Sequence, residues 1–234
     1  MKPSADPILF LSGAGLAAWI WDDVRRDLAG SRQTLVAVRP TNDRARLADY
    51  ARAAVDSAPP GRFAIVAHSS GGVIGSEIVR QTPDRVSAFL ALTAVIPSPG
   101  ESFLSAMPRP TRWLLNAAMR LAGTRPPDSA VRRGIAHGLN ERVADHIVTD
   151  FTPESPHLYR DRTTPGEWTA PRGYLHTTKD RELPIALQRQ CAKNLGTAWQ
   201  DELNTGHLPM LEDHRSVAGS ITRFLNHALL AGTP

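Results

Sequence analysis

The sequence is poor in the features that tie a chain to a membrane, a nucleic acid or an oxidising compartment. It has one cysteine, Cys191, in 234 residues, so no internal disulfide can form. A reducing, cytoplasmic setting is the simplest expectation. No run approaches the ~20 apolar residues of a membrane span, and no membrane partner is expected. The net charge is +4, but no basic run interleaves with aromatics. The arginines lie among acids, as in "WDDVRRDLAG" and "TNDRARLADYAR", so nucleic acid is not an expected partner. The G-x-G-x-x-G and GK[ST] signatures of nucleotide sites are missing, and no His, Cys and Asp residues share metal-ligand spacing. No cofactor and no metal are expected. The opening stretch "MKPSADPILFLSGAGLAAW" faintly mimics a secretory leader. Asp6 and Pro7 interrupt it, Gly13 and Gly15 sit inside its apolar part, and cleavage near Ala18 would remove a segment used below; no leader is expected.

What the chain does have is hydrophobic residues, 41% of the total, enough for one sizeable core. They fall into short runs that read as buried parallel strands: 8–12, 34–38, 62–68, 87–94, 173–178 and, least clearly, 198–204. Most runs are continuous rather than alternating, as expected when helices cover both sheet faces. Helical spacing fills the intervals. "PIALQRQCAKNLG" ends in Gly196, a helix-stop signal. Strand alternating with helix predicts an open α/β sheet of about six mainly parallel strands with right-handed crossovers. Between Pro97 and Pro171 no strand pattern occurs, only short helical stretches with Pro- and Gly-rich joints. The expected division is a core of residues 1–96 and 172–234 with a helical cap over 97–171.

The stretch "AIVAHSSGGVIG" (64–75) leaves a strand and enters a helix almost at once. A residue at such a turn is forced into a strained conformation that lifts its side chain off the sheet edge, and its neighbours two before and two after must be small. For Ser69 those neighbours are Ala67 and Gly71; for Ser70 they are His68 and Gly72. Histidine is too large there, so Ser69 is the expected nucleophile, although G-x-S-x-G has Ala67 in place of its first glycine. The Ser70 N–H then faces any oxyanion formed on Ser69.

A serine needs a base, and the base an orienting acid. Asp180 follows the strand "GYLHTT", and His207 lies in the turn "TGHLPML" after the last strand. Both occupy the carboxyl edge, where α/β sheets place their sites. His68 and His176 lie in strands, His137, His146 and His157 in the insertion, and His214 and His227 on surface-like helices. The glycines of "LSGAGLAAWIW" allow close backbone approach, and the Ala14 N–H is the expected second oxyanion donor.

In chain order, "SGAGLAAWIWDDV", "HSSGG", "TTKDRELP" and "TGHLPML" resemble the α/β-hydrolase superfamily, and more narrowly its branch of plant methylesterases, hydroxynitrile lyases and bacterial esterase relatives. The resemblance covers nearly the whole chain. It implies the triad Ser69, Asp180 and His207, the donors Ala14 and Ser70, and a small-molecule ester substrate. Two departures stand out: Ser12 occupies a position that is usually histidine, and the loop after "VAVRP" is short, implying a more open rim. The lyases carry a threonine at Gly13 and a lysine just after the histidine; here Gly13 and Leu208 favour hydrolysis. Trp113, Leu114, Leu115 and Met119 of the insertion, and Leu208 beside His207, are the candidate substrate contacts. The alternatives are a lyase or cyclase on the same triad, or a receptor that kept the scaffold. A monomer or a homodimer is expected.

Overall fold

The computed structural model describes residues 5–231. The first four residues of the leader-like stretch and the last three of the expected core lie outside the described residues. Six parallel strands form one sheet in the order β2-β1-β3-β4-β5-β6. They are β1 (Ile8–Leu11), β2 (Thr34–Val36), β3 (Phe63–Ser69), β4 (Val86–Ala94), β5 (Arg172–Thr177) and β6 (Trp199–Leu203).

Period-two alternation sorts the strand side chains onto two faces. Leu9, Leu11, Ile65, Ala67, Phe89 and Ala91 pack with residues of α2 (Leu47–Ser57), α3 (Gly71–Gln81) and α9 (Ile185–Leu195). Ile8, Phe10, Ala64, Val66, Leu90 and Leu92 pack with α1 (Asp22–Leu28) and α11 (His214–Ala231). Both faces are covered, which is why the central strands read as continuous apolar runs. The edge strand β6 is only half-buried, alternating intermediate and exposed positions. Its weak sequence signal follows from that. The Gly196 stop is realised: its φ is +66°, and its N–H donates to the Ala192 and Lys193 carbonyls closing α9.

Between β4 and β5 lie five helices: α4 (Phe103–Ala106), α5 (Arg109–Ala122), α6 (Asp128–Arg133), α7 (Glu141–Asp150) and α8 (His157–Arg160). The short α10 (Pro209–Glu212) follows β6. The chain moves from β1 outward to β2, then returns to place β3 on the other side of β1. Connections therefore diverge between β1 and β3, opening a crevice at their carboxyl ends, where open α/β sheets bind ligands. The Gly13–Ala14 loop follows β1, and β3 ends at Ser69.

Candidate active site

Ser69 is the last residue of β3, with φ +53°. A left-handed serine is strained, and only the surrounding packing holds it. That packing needs glycine at Gly71, where a Cβ would lie 2.5 Å from the Leu11 carbonyl oxygen, and at Gly13, where a Cβ would lie 2.8 Å from Ser69 Cβ. Ser70 has helical dihedrals and caps α3, which begins at Gly71.

The Ser69 hydroxyl donates to His207 Nε2 at 3.1 Å, and His207 Nδ1 donates to Asp180 Oδ2 at 2.8 Å. The tautomer follows: the Asp180 carboxylate accepts the hydrogen bond from Nδ1–H, which leaves Nε2 unprotonated as acceptor for the serine. His207 is 3% exposed. Burial pulls its pKa down, but the Asp180 charge and hydrogen bond outweigh that, and the net shift is upward. Burial pushes Asp180 up; the His207 charge and hydrogen bond, the Thr93 hydroxyl and the Leu183 N–H overcome it and hold the carboxyl at about 2.

Asp180 has more support than its sequence context indicated. Its Oδ1 accepts the N–H groups of Glu182 and Leu183 at 2.8 and 2.9 Å. Its Oδ2 also accepts the Thr93 hydroxyl at 2.6 Å. Thr93 is the extra residue in a β-bulge, for His68 pairs with Leu92 and Ser69 with Ala94. Its φ is +37°, unusual for a β-branched residue. The bulge turns a strand side chain toward the carboxylate. His68 was another omission. Its Nε2 donates to the His207 carbonyl at 2.8 Å, and its ring lies 4.8 Å from the His207 ring. Burial first, then the neighbouring His207, lowers its pKa to about 3, so it is a neutral prop under the base.

Above these groups lies a cavity of about 320 Å³. Ala14, Ser69, Ser70 and His207 line it on the sheet side, and Phe103, Leu115, Met119, Ile135 and Phe151 line it elsewhere. Neither the Ala14 nor the Ser70 N–H has a hydrogen-bond acceptor among the described residues. Two unpaired donors beside a serine can receive an oxygen that becomes negative. Glu182 also lines the cavity; burial pushes its carboxyl up, His207 opposes this and Asp180 adds to it. The motif "KDRELP" offered no reason to single it out beside Asp180.

The chain carries a serine at the tight turn between β3 and α3, a carboxylate after β5 and a histidine after β6. The model of the alpha/beta hydrolase family matches residues 8–219, about nine-tenths of the chain. The chain belongs to the alpha/beta hydrolase family. Among solved structures, this hydrolase-family chain is similar to an extracellular alpha/beta-hydrolase from a Paenibacillus species, described as sharing structural and functional homology with tobacco salicylic acid binding protein 2. The identity is 17%, the TM-score 0.82, and the match covers 93% of this chain and 98% of that one. It is also similar to a pyrethroid hydrolase, at 22% identity, TM-score 0.77, covering 96% and 98%. A methylesterase from Arabidopsis matches at 16% identity and TM-score 0.75, covering 95% and 100%. No curated protein sequence matches this family member.

Three expected substrate contacts are not at the hydrolase cavity. Trp113 and Leu114 are 76% and 72% exposed, and Trp113 lines a separate groove with Arg112 and Arg120. On α5 the residues facing the cavity are Thr111, Leu115, Ala118, Met119 and Ala122, spaced by three and four, which turns Trp113 and Leu114 outward. Leu208 is fully buried in the core on the α1 and α11 side; with the His207 ring facing the cavity, its chain neighbour projects away. Leu115 and Met119 do line the cavity. Ser12, in place of the usual histidine, accepts the Trp21 indole N–H at 3.0 Å. The short loop after β2 borders a second cavity, of about 440 Å³, which Ser69 does not line.

Proposed function

We propose that this chain is a serine hydrolase that cleaves a carboxylic ester of a small to medium apolar substrate through an acyl-enzyme. The observation that carries the reading is the hydrogen-bond relay from Ser69 through His207 to Asp180, 3.1 and 2.8 Å, opening onto a largely apolar cavity. Ser69 attacks the ester carbonyl while His207 Nε2 takes its proton. Asp180 stabilises the resulting imidazolium, and the Ala14 and Ser70 N–H groups receive the oxyanion. The tetrahedral intermediate collapses as His207 protonates the departing alcohol. Water, deprotonated by the same imidazole, then attacks the acyl carbon, and the second tetrahedral intermediate collapses to the free acid as the imidazolium returns its proton to the departing Ser69 oxygen. Residues 97–171 act as a cap over a core of 1–96 and 172–234, and the cavity-facing side of α5 sorts substrates by size. Every group in this cycle comes from the chain itself.

Labelling by a fluorophosphonate probe, with turnover of p-nitrophenyl esters of increasing acyl length, tests the reading. Ser69→Ala abolishes both, a loss on the order of 10⁴–10⁶ in turnover. Ser70→Ala leaves both within about tenfold, because Ser70 acts through its backbone. A wild-type protein that takes no label and cleaves no ester refutes the proposal, and a dead Ser70→Ala beside an active Ser69→Ala refutes the nucleophile assignment.

A further inference from the structure

Just behind the oxyanion loop lies an ion pair that the reaction cycle above does not use. Arg39, after β2, pairs with Glu154, between α7 and α8. Glu154 is 7% exposed. The Arg39 guanidinium donates to the carbonyl oxygens of Ser12 and Gly13, the latter at 2.8 Å. Glu154 Oε1 accepts the Gly15 N–H at 3.2 Å, and its Oε2 accepts the Tyr50 hydroxyl at 2.9 Å. The Tyr50 oxygen in turn accepts the Ser155 N–H at 3.0 Å.

The bond to Gly13 bears on catalysis through the planarity of the peptide unit. The Gly13 carbonyl and the Ala14 N–H belong to one planar trans peptide, so they point in opposite directions. Holding the oxygen on the Arg39 side turns the N–H to the other side. The next peptide, Ala14–Gly15, is held by Glu154 through the Gly15 N–H. Each partner of the ion pair therefore holds one of the two peptide planes flanking Ala14, Arg39 doing so alongside the Leu16 N–H, which donates to the same Gly13 oxygen at 3.2 Å. A cation on the Gly13 oxygen also polarises that peptide and makes its N–H a stronger donor. Burial lowers the Arg39 pKa only to about 10, so the charge persists at neutral pH. A buried ion pair adds little net stability over apolar packing, so stability alone is a poor reason for one here.

We propose that Arg39 and Glu154 are positioning residues for the oxyanion hole, locking the Ala14 N–H toward the substrate oxygen. Glu154 lies in the segment between β4 and β5, so the lock is complete only when that segment is seated on the β1 loop. The assignment rests on the hydrolase reading and deepens it.

The test compares wild type with Arg39→Ala, Arg39→Lys and Glu154→Gln. Its readouts are kcat and KM on p-nitrophenyl butyrate, the fluorophosphonate labelling rate, the melting temperature and the ¹⁵N amide resonance of Ala14. Losing one oxyanion donor costs about 10²–10³-fold in kcat. Arg39→Ala is expected to fall in that range with KM within about threefold of wild type, to label more slowly by a similar factor, and to regain part of its rate with added guanidinium ion. Arg39→Lys, which keeps the charge but lacks the planar fork, falls between, as does Glu154→Gln. A folded Arg39→Ala or Arg39→Lys with wild-type kcat overturns the proposal, whatever its melting temperature. If Arg39→Ala does not fold, the lysine variant decides by the same criterion. If wild type itself cleaves no ester and takes no label, the hydrolase reading has failed; the Ala14 resonance then decides separately. A shift in Arg39→Lys upholds the lock on that peptide, and an unmoved resonance overturns it.

Discussion

Helix α5 borders the Ser69 cavity, helix α3 meets it only through its N-cap Ser70, and the two are built on opposite terms. Of the eleven residues of α3, nine are buried. Of the fourteen of α5, none is. Helix α3 is wedged against β1 and β4 through glycines, so its N-terminus cannot move without breaking the sheet's packing. Helix α5 rests one side on a cavity and shows the other to solvent. Groups that must be held within fractions of an ångström sit on the first kind of helix. Groups that only need to offer apolar surface sit on the second. Chemistry and substrate choice should therefore respond to different substitutions.

The largest effect is expected at the core side. Asp180→Asn keeps the shape of the side chain but donates where a carboxylate accepted, so His207 loses its tautomer and its counter-charge. A fall of about 10⁴ in kcat is expected from the equivalent change in this mechanism. A loss under tenfold would show that Thr93 and His68 orient the imidazole without the acid. Gly71→Ala comes next. Its Cβ would meet the Leu11 carbonyl oxygen at 2.5 Å, a backbone atom that cannot step aside. Destabilisation of about 1–3 kcal/mol, read from denaturant melts, should come with lost turnover, because the strained turn and the oxyanion donors move together.

On the α5 side the expected changes are smaller and of a different kind. Met119→Ala removes apolar contact from the cavity wall. A shift of roughly 10–100-fold in preference along an acyl-length series is expected, mostly in KM, from a burial loss of about 1–3 kcal/mol. Turnover of a short acetate ester should survive. Trp113→Ala is the sharpest contrast, because Trp113 is two turns or less from Met119 but 76% exposed. It should leave the length profile unchanged and move stability by no more than about 0.5 kcal/mol. A changed profile for Trp113→Ala would mean that α5 rotates or lifts in the working enzyme.

The pH profile gives the smallest displacement. His207 must be neutral to accept the serine proton, and its pKa is raised above the ordinary 6.5 by Asp180 despite burial. Activity should thus rise with pH through a single ionisation above that value. An inflection at or below 6.5 would mean that desolvation outweighs the carboxylate.

Several positions were legible because the constraint on them is local. Ser69 could be chosen over Ser70 by the size of its neighbours, Ala67 and Gly71 against His68 and Gly72, a comparison of residues within two positions of each serine. Asp180 and His207 follow strands directly, so strand periodicity put them at the right edge. Gly196 closes its helix through bonds three and four residues back. The parallel character of the strands came from the same source, the continuous apolar runs of a sheet covered on both faces.

Other assignments depended on contacts between segments far apart in the chain, and no local pattern carries those. Thr93 reaches Asp180 across 87 positions, and only because a bulge in β4 rotates it there. Glu154 reaches Gly15 across 139. Helical spacing made Trp113, Leu114 and Met119 equally apolar candidates; which of them faces the cavity is set by the seating of α5, and α5 buries no residue whose hydrophobicity would dictate that seating. Leu208 looked like a pocket residue from its place beside His207, and the direction of the loop sent it into the core. Sequence by itself determined the elements and which candidate groups stand at their ends, because those are questions of periodicity and of small neighbours. Tertiary structure alone decided what supports and surrounds them, because a hydrogen bond or an exposed face is set by where two distant backbones come to rest.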